Sequence, residues 1–389
     1  MSNDQISVTT STSWFSRLGS AIKGVLFGFV VILAAIVLLF WNEGRSIESV
    51  RTNKEGAGAV ISVDANRVDA ANNGKLVHIS AAASAEGHRR DDVTGVAADG
   101  LVLSRSVEYF QWVESSQSDT RTKLGGGQET VTTYSYTTEW TNAPQDSARF
   151  NQPQGHQNPP ATLKDGTFAA DQASIGAFKA TAPVLSQLTA QTNFTPSAEQ
   201  VQAASSALGR PVSAQENVLF VGQNAATPQV GDMRITYHHL PQNTVLSVIG
   251  AQTGNEITPF IAKTGSPILM VRTGTASATE MFQAAKAANQ TMSWLLRGVG
   301  LAAMIAGFGM LLAPLGVLGD VVPFIGSIVR MGTGLMAGAV GLALSLVVIA
   351  LAWLAFRPVV AIILLAVAGA AVAGVLWMRK RKPVPAPAV

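Results

Sequence analysis

Apolar positions along the chain follow two regimes. Four stretches are apolar without alternation: residues 24–41, an unbroken run of 18, then 298–319, 331–356 and 358–378. A helix rises about 1.5 Å per residue, so runs of roughly this length cross about 30 Å of hydrocarbon. Each therefore predicts a spanning helix, the first lengthened by Ile22 with Lys23 reaching toward the headgroups. Between the first and second spans the pattern changes to period two. Val60, Ser62 and Asp64 alternate with Ile61, Val63 and Ala65, and residues 76–80, 101–114 and 129–140 also read as strands. The last two are expected to pair across the Gly125-Gly126-Gly127 turn. Residues 142–162, punctuated by Pro144, Pro153, Pro159 and Pro160, predict a loop.

Residues 168–188 read as a helix turned at Pro183, and 196–208 as a second helix capped by Thr195 with Pro196 in its first turn. Strands return at 218–221, 233–238, 245–249, 257–262 and 268–271. Ser277 and Glu280 then form a capping box, and Met281, Phe282, Ala285 and Ala288 an apolar stripe toward Trp294. The fold class is an α+β extracytoplasmic domain combined with a four-span α-helical membrane protein. Its expected parts are a cytoplasmic N-terminus (1–21), a first span (22–41), the α+β domain (42–292, as one body or two submodules) and a second span (293–319). An apolar cytoplasmic loop (320–330) follows, read either as an interfacial helix from Pro323 or as a tight hairpin. Spans at 331–356 and 358–378 and a basic, proline-containing tail (379–389) complete the chain.

Composition sharpens this picture. Only 13% of residues are charged, against about 25% in an ordinary globular chain, which argues against a generic soluble enzyme. Residues 42–292 hold 18 basic and 22 acidic side chains, the remainder 9 basic and 2 acidic. An acidic middle region is a poor partner for phosphates, so no nucleic acid is expected. With Cys 0, disulfides and thiolate chemistry are absent. The first apolar run ends in Phe40-Trp41-Asn42-Glu43 with no small-residue cleavage pattern, which predicts an uncleaved anchor. Arg17, Lys23, Arg330 and the basic cluster at 379–382 place both termini in the cytoplasm, with Arg297 and Arg357 on the disfavoured side. Tags near Ser327 are then expected on the cytoplasmic side, and tags near Gly126 and Asn224 outside.

Candidate chemistry is sparse, and no catalytic, cofactor-binding or metal-binding residue is assigned. His238 and His239 are adjacent on a strand and face opposite ways. His156 with Asp146 and Ser147 lies in the proline-rich loop, where spacing fixes no geometry. His78 reads as an ordinary strand residue, and Gly125-Gly126-Gly127 lacks the lysine of a phosphate loop. Glu43 and Arg45, just past the first span, are expected to pair with the domain or with headgroups. Spans two to four carry no ionisable residue in their cores, which weakens a transporter reading. Gly334/Gly338, Ala302/Ala306 and Ala370/Gly374 are small-residue pairs that favour close helix packing, within one chain or between copies.

Several segments together resemble the transmembrane protein 43 (LUMA) family: FWNEGR at 40–45, NGKLVHIS at 73–80, VEYFQWVE at 107–114, PQDSARFNQPQGHQNP at 144–159 and VGDMRI at 230–235. LAPL at 312–315, VPF at 322–324 and FRP at 356–358 extend the likeness to most of the chain. The resemblance implies an integral membrane protein with a large extracytoplasmic domain and no transferable catalytic residues. Animal members of the family are nuclear-envelope and endoplasmic-reticulum proteins that self-associate and contact lamina-linked proteins. The Gly- and Ala-rich composition points to a bacterial inner membrane, where only membrane organisation and self-association carry over. Expected partners are membrane lipids, further copies of the chain, and an unidentified membrane or extracytoplasmic protein. The expected role is a non-enzymatic scaffold. The alternative is an extracytoplasmic sensor, ligand-binding or transport accessory module.

Overall fold

The computed structural model describes residues 4–359, 362 and 363. The chain begins with strand β1 (Asp4–Thr12) and one long helix, α1 (Trp14–Ala59). There follow β2 (Ile61–Ser62), β3 (Leu76–Ser84), β4 (His88–Arg90), β5 (Ala97–Asp99), β6 (Val102–Thr122), β7 (Gln128–Thr141), β8 (Gly166–Ala169), β9 (Ala173–Ile175) and β10 (Phe178–Ala180). The next elements are α2 (Ala182–Leu185), β11 (Thr192–Phe194), α3 (Ala198–Leu208), β12 (Val212–Gln215), β13 (Val218–Val221), β14 (Met233–Leu240), β15 (Thr244–Thr253) and β16 (Glu256–Thr258). The short strands β17 (Phe260–Ile261), β18 (Pro267–Ile268) and β19 (Met270–Thr273) precede helices α4 (Ala278–Gly319) and α5 (Pro323–Phe356). Contacts divide the chain into two units: residues up to 10, 52–120 and 130–285 form the first, and residues 11–51, 121–129 and 286 onward the second.

The first unit is β-rich. One sheet runs β1-β7-β6-β14-β13-β12, with β11 on β14 and β8 on β6. Alternate inward residues Leu103, Val107, Tyr109, Leu219, Val221, Met233, Ile235 and Tyr237 fill one core beneath it. In the other sheet β3 pairs with β15, β15 with β16, β16 with β10, β10 with β9, and β9 again with β3. These five pairings close on themselves as a small barrel, filled by Val77, Ile79, Ile175, Phe178, Leu246, Val248 and Ile257. A third cluster gathers Leu76, Ile249, Ile268, Met281 and Phe282, with Gly56 of α1 so close that a β-carbon there would meet the Phe282 ring at 2.7 Å.

The helix expected over 168–188 is replaced by β8, β9, β10 and the single turn α2. Burial of Ala173, Ile175, Phe178 and Ala180 alternates with exposure of Ser174 and Lys179, a period of two that a helix does not accommodate. Gly176 turns the hairpin at φ +59, and any side chain there would strike the Ala65 carbonyl. The cap of α3 also differs. Ser197 accepts from the Gln200 amide while the Gln200 side chain returns to Ser197, so this reciprocal pair starts the helix two residues beyond Thr195.

The second unit holds three helices long and apolar enough to span a membrane, among the described residues. The four-span expectation is confirmed only to that extent, because most of 358–378 lies outside the described residues. Helix α1 continues beyond Trp41 to Ala59, and the capping-box helix at Ser277 runs without a break into the second span. Between α4 and α5 only Asp320, Val321 and Val322 are non-helical. The apolar stretch after Pro323 is thus the first part of α5 itself. Close approach relies on glycines: added β-carbons would meet Leu39 at 2.5 Å from Gly300, Ile32 at 2.6 Å from Gly307 and Ile305 at 2.9 Å from Gly341. Gly334 and Gly338 face open space.

Candidate functional site: two buried ionic clusters of the helical unit

Within the helical unit, polar side chains gather at the two ends of the apolar stretches. At one end, Asn289, Ser293 and Arg297 recur every four residues on one face of α4, opposite Asn42, Glu43 and Arg45 of α1. Glu43 is wholly buried, and both carboxylate oxygens are occupied. Arg297 donates through Nε to Oε1 at 2.6 Å and through Nη2 to Oε2 at 2.9 Å, and Trp353 Nε1 of α5 donates to Oε2 at 2.8 Å. The Arg297 guanidinium also lies 4.8 Å from the Trp294 ring centre and 5.9 Å from that of Trp353. Beside it, Arg45 donates to Asn289 Oδ1, Asn42 Oδ1 and Ser293 Oγ, each at 3.2 Å, and Asn42 Nδ2 donates to the Ser293 carbonyl at 3.1 Å. Gly44 packs closely in this stretch, since a β-carbon would meet the Phe356 ring at 2.8 Å. A fork-shaped carboxylate–guanidinium pair fixes both distance and rotation between helices. With both oxygens of Glu43 engaged, the cluster is a clamp on three helices.

At the other end Asp320 is fully buried and forms ion pairs with two arginines: Arg17 of α1, which donates to Oδ2, and Arg330 of α5, 2.7 Å from Oδ1 but without hydrogen-bond alignment. Trp14 Nε1 donates to the Val317 carbonyl at 2.8 Å, and Arg17 also donates to the Gly126 carbonyl. Gly125 N–H donates to Val321 at 3.1 Å. The tip of the β6–β7 hairpin is therefore seated on the Arg17–Asp320 end. Gly126, where a tag is expected outside, is thus in contact with Arg17 of the flank expected in the cytoplasm. The sequence shows the turn, but only the contacts of Gly126 with Trp14 and Arg17 show where it is held.

The β-rich unit carries a third ionic cluster. Asp91 Oδ2 accepts from Thr94 Oγ1 at 2.8 Å, from Tyr237 OH at 2.6 Å and from Arg105, which also donates to the Lys164 carbonyl at 2.9 and 2.7 Å. Burial pushes the Asp91 carboxyl up, but hydrogen bonds from Tyr237, Arg105 and Thr94 outweigh it and hold the group below its ordinary value. Burial and the neighbouring carboxylate raise the Tyr237 hydroxyl. The histidines are dispersed. His78 lies between Ser62 Oγ at 3.2 Å and the Ala276 carbonyl at 2.8 Å. His238 lines a shallow recess with Arg105 and Asp165, while His239 lies 3.4 Å from the Asp99 carbonyl.

His156 is stacked 4.0 Å from Tyr136, its nitrogens directed to the Gln152 carbonyl and Asp4. Asp146 instead caps a turn and pairs with Arg149, and Ser147 accepts from Asn158, so these three do not converge. Burial, with the Glu114 carboxylate beside it, pushes the Tyr136 hydroxyl up to about 12. No group of three metal-ligating side chains occurs among the described residues.

Glu43, expected to pair with the domain or with headgroups, and Asp320, expected in a loop, are the two carboxylates that organise the helical unit. Their signal is an isolated acid beside an apolar run, with a lone arginine at the start of another run. Residues 109–358 match the family described as Transmembrane protein 43. The chain is 30% identical to transmembrane protein 43 of Homo sapiens over 396 residues, covering 98% of this chain and 96% of the human protein. Rattus norvegicus transmembrane protein 43 is 30% identical over 365 residues, covering 90% of this chain and 89% of its own length. The Drosophila melanogaster homologue is 26% identical over 347 residues, with 87% and 90% covered. No solved structure matches. Matches of this extent, with three apolar helices, make this chain a member of the transmembrane protein 43 family of membrane proteins.

Proposed function

We propose that the protein is a non-enzymatic structural component of its membrane, which presents a β-rich domain and organises an assembly with further copies of itself. The supporting observation is the Glu43–Arg297–Trp353 clamp, in which buried charges are fully engaged in fixing three helices to one another. Burying ions costs several kcal/mol each, and a pair with both partners satisfied is suited to specifying one arrangement. In this reading both termini are cytoplasmic and the domain faces outside, in a bacterial inner membrane. The positive flanks Arg17, Lys23 and Arg330 favour that orientation. Extraction in a mild detergent at native expression, followed by size and composition analysis, tests the role. A particle containing several copies of the 40.6 kDa chain is expected; a monodisperse monomer with no partner would refute it.

A further inference from the structure

Two arginines share the buried Asp320 carboxylate, and only one of them is satisfied there. Arg17 donates to Oδ2 and to the Gly126 carbonyl. Arg330 lies 2.7 Å from Oδ1 without hydrogen-bond alignment, which leaves that oxygen buried and unpartnered. Among the described residues no hydrogen-bond acceptor meets the Arg330 guanidinium, and its side chain is 45% exposed. Together the two arginines and the aspartate carry one positive charge in excess. The guanidinium is nonetheless held in place. Gly316 of α4 makes room for its stem, since an added β-carbon there would meet Arg330 Cγ at 2.8 Å. Helical side chains lean toward the N-terminus, which brings the Arg330 head back to the start of α5.

That start is itself open. Val322, at the N-cap, has no side chain that accepts, and Pro323 follows it in the first turn. Gly326 N–H reaches the Val322 carbonyl at 3.0 Å, whereas the N–H groups of Phe324 and Ile325 have no acceptor among the described residues. An anion here meets unpaired donors, the positive end of the helix dipole and an unsatisfied guanidinium. Depth decides which kind of anion. The apolar run of α4 ends at Gly319 and that of α5 begins at Met331, so Asp320 and Arg330 stand at the edge of the hydrocarbon, where the phosphates of a bilayer lie. Phe324 is 74% exposed, and Ile325 and Ile328 are half-exposed. The cation thus has an apolar surface beside it that acyl chains cover and a free phosphate does not.

We propose that the Arg330 guanidinium and the first turn of α5 seat the phosphate of an anionic phospholipid, whose acyl chains lie along Phe324, Ile325 and Ile328. A single phosphodiester charge neutralises the excess left by two arginines and one aspartate. Its oxygens take up the fork of N–H donors that Asp320 leaves unaligned. A zwitterionic headgroup brings no net charge and is the weaker ligand. Self-association is not required, since every donor comes from one copy.

Native mass spectrometry of the full-length chain in mild detergent, with phosphatidylglycerol and phosphatidylcholine added in equal amounts, tests the seat. Wild type is expected to retain one phosphatidylglycerol in preference to phosphatidylcholine. Arg330→Gln should weaken that retention by about tenfold, the worth of one charge-assisted contact. Lys23→Gln, which removes an exposed cation of α1, should leave it unchanged. Equal retention of the two lipids by wild type, or equal losses in the two variants, would overturn the seat. So would displacement of phosphatidylglycerol by inorganic phosphate at matched concentration, because the acyl chains would then contribute nothing. The lipid comparison and the phosphate competition use wild type alone, so they decide the matter even if Arg330→Gln does not fold.

Discussion

At the residue scale, isolated ions decide most. Glu43 and Arg297 satisfy each other where either alone would be a buried unpaired charge. Glu43→Leu is expected to destabilise the helical unit by about 3–5 kcal/mol, as breaking one side of a buried pair does. Adding Arg297→Met should recover most of the loss, because the stranded charge is then gone. Thermal unfolding in detergent of wild type, single and double variants checks this, and a double variant no better than the single would contradict it. Asp91 yields a prediction in pH. Its folded pKa is depressed, so its stabilising contribution is complete above the ordinary carboxylate range and disappears as pH falls through the folded value. Asp91→Asn should therefore cost about 3 kcal/mol near pH 7, and the gap to wild type should close only as pH falls below the ordinary carboxylate range, through the depressed folded value. Denaturant titrations at several pH values read it.

At the element scale, the glycines of the helices fall into two classes. Gly28, Gly300, Gly307 and Gly341 sit where a neighbouring helix leaves no room for a β-carbon, whereas Gly334 and Gly338 meet nothing within 4 Å. Replacing both of the latter with Leu is expected to leave the folded monomer undiminished and to lower the oligomer population, because the bulk projects from the open face of α5. Cross-linking in membranes, with folded monomer measured alongside, distinguishes the outcomes; loss of monomer would mean the face is internal after all. A control change, Gly307→Leu, should damage folding itself, since Ile32 lies 2.6 Å from the added carbon.

At the scale of the whole molecule, the seat of Gly126 beside Arg17 reshapes the expected topology. Tags at the N-terminus, Gly126 and Ser327 should report the same, cytoplasmic face, and a tag at Asn224 the opposite face. Protease protection of sealed vesicles measures this. Gly126 on the same side as Asn224 would show that the hairpin tip is not held at the Arg17–Asp320 end in the membrane.

Much of the design was legible without coordinates, wherever the cause was local. Three apolar helices, the 218–221 strand, the hairpin across Gly125–Gly127 and the Ser277–Glu280 cap depend on hydrophobic run length, alternation and neighbouring hydrogen-bond donors, all of which are written in order along the chain. Residues 168–188 went astray because small residues such as Ala173 and Ala180 suit a helix as well as a strand, and only the closed barrel gave them a period of two. The N-terminal strand was missed for a related reason. A Ser- and Thr-rich segment has weak hydrophobic patterning, and β7, which pairs with it, lies more than a hundred residues away. The ionic clusters were likewise beyond the sequence, since Glu43 finds Arg297 across 254 positions and Asp320 finds Arg17 across 303. Propensity acts over a few residues, whereas a buried charge is satisfied by whatever the packing brings to it, and that pairing was decided by the tertiary structure alone.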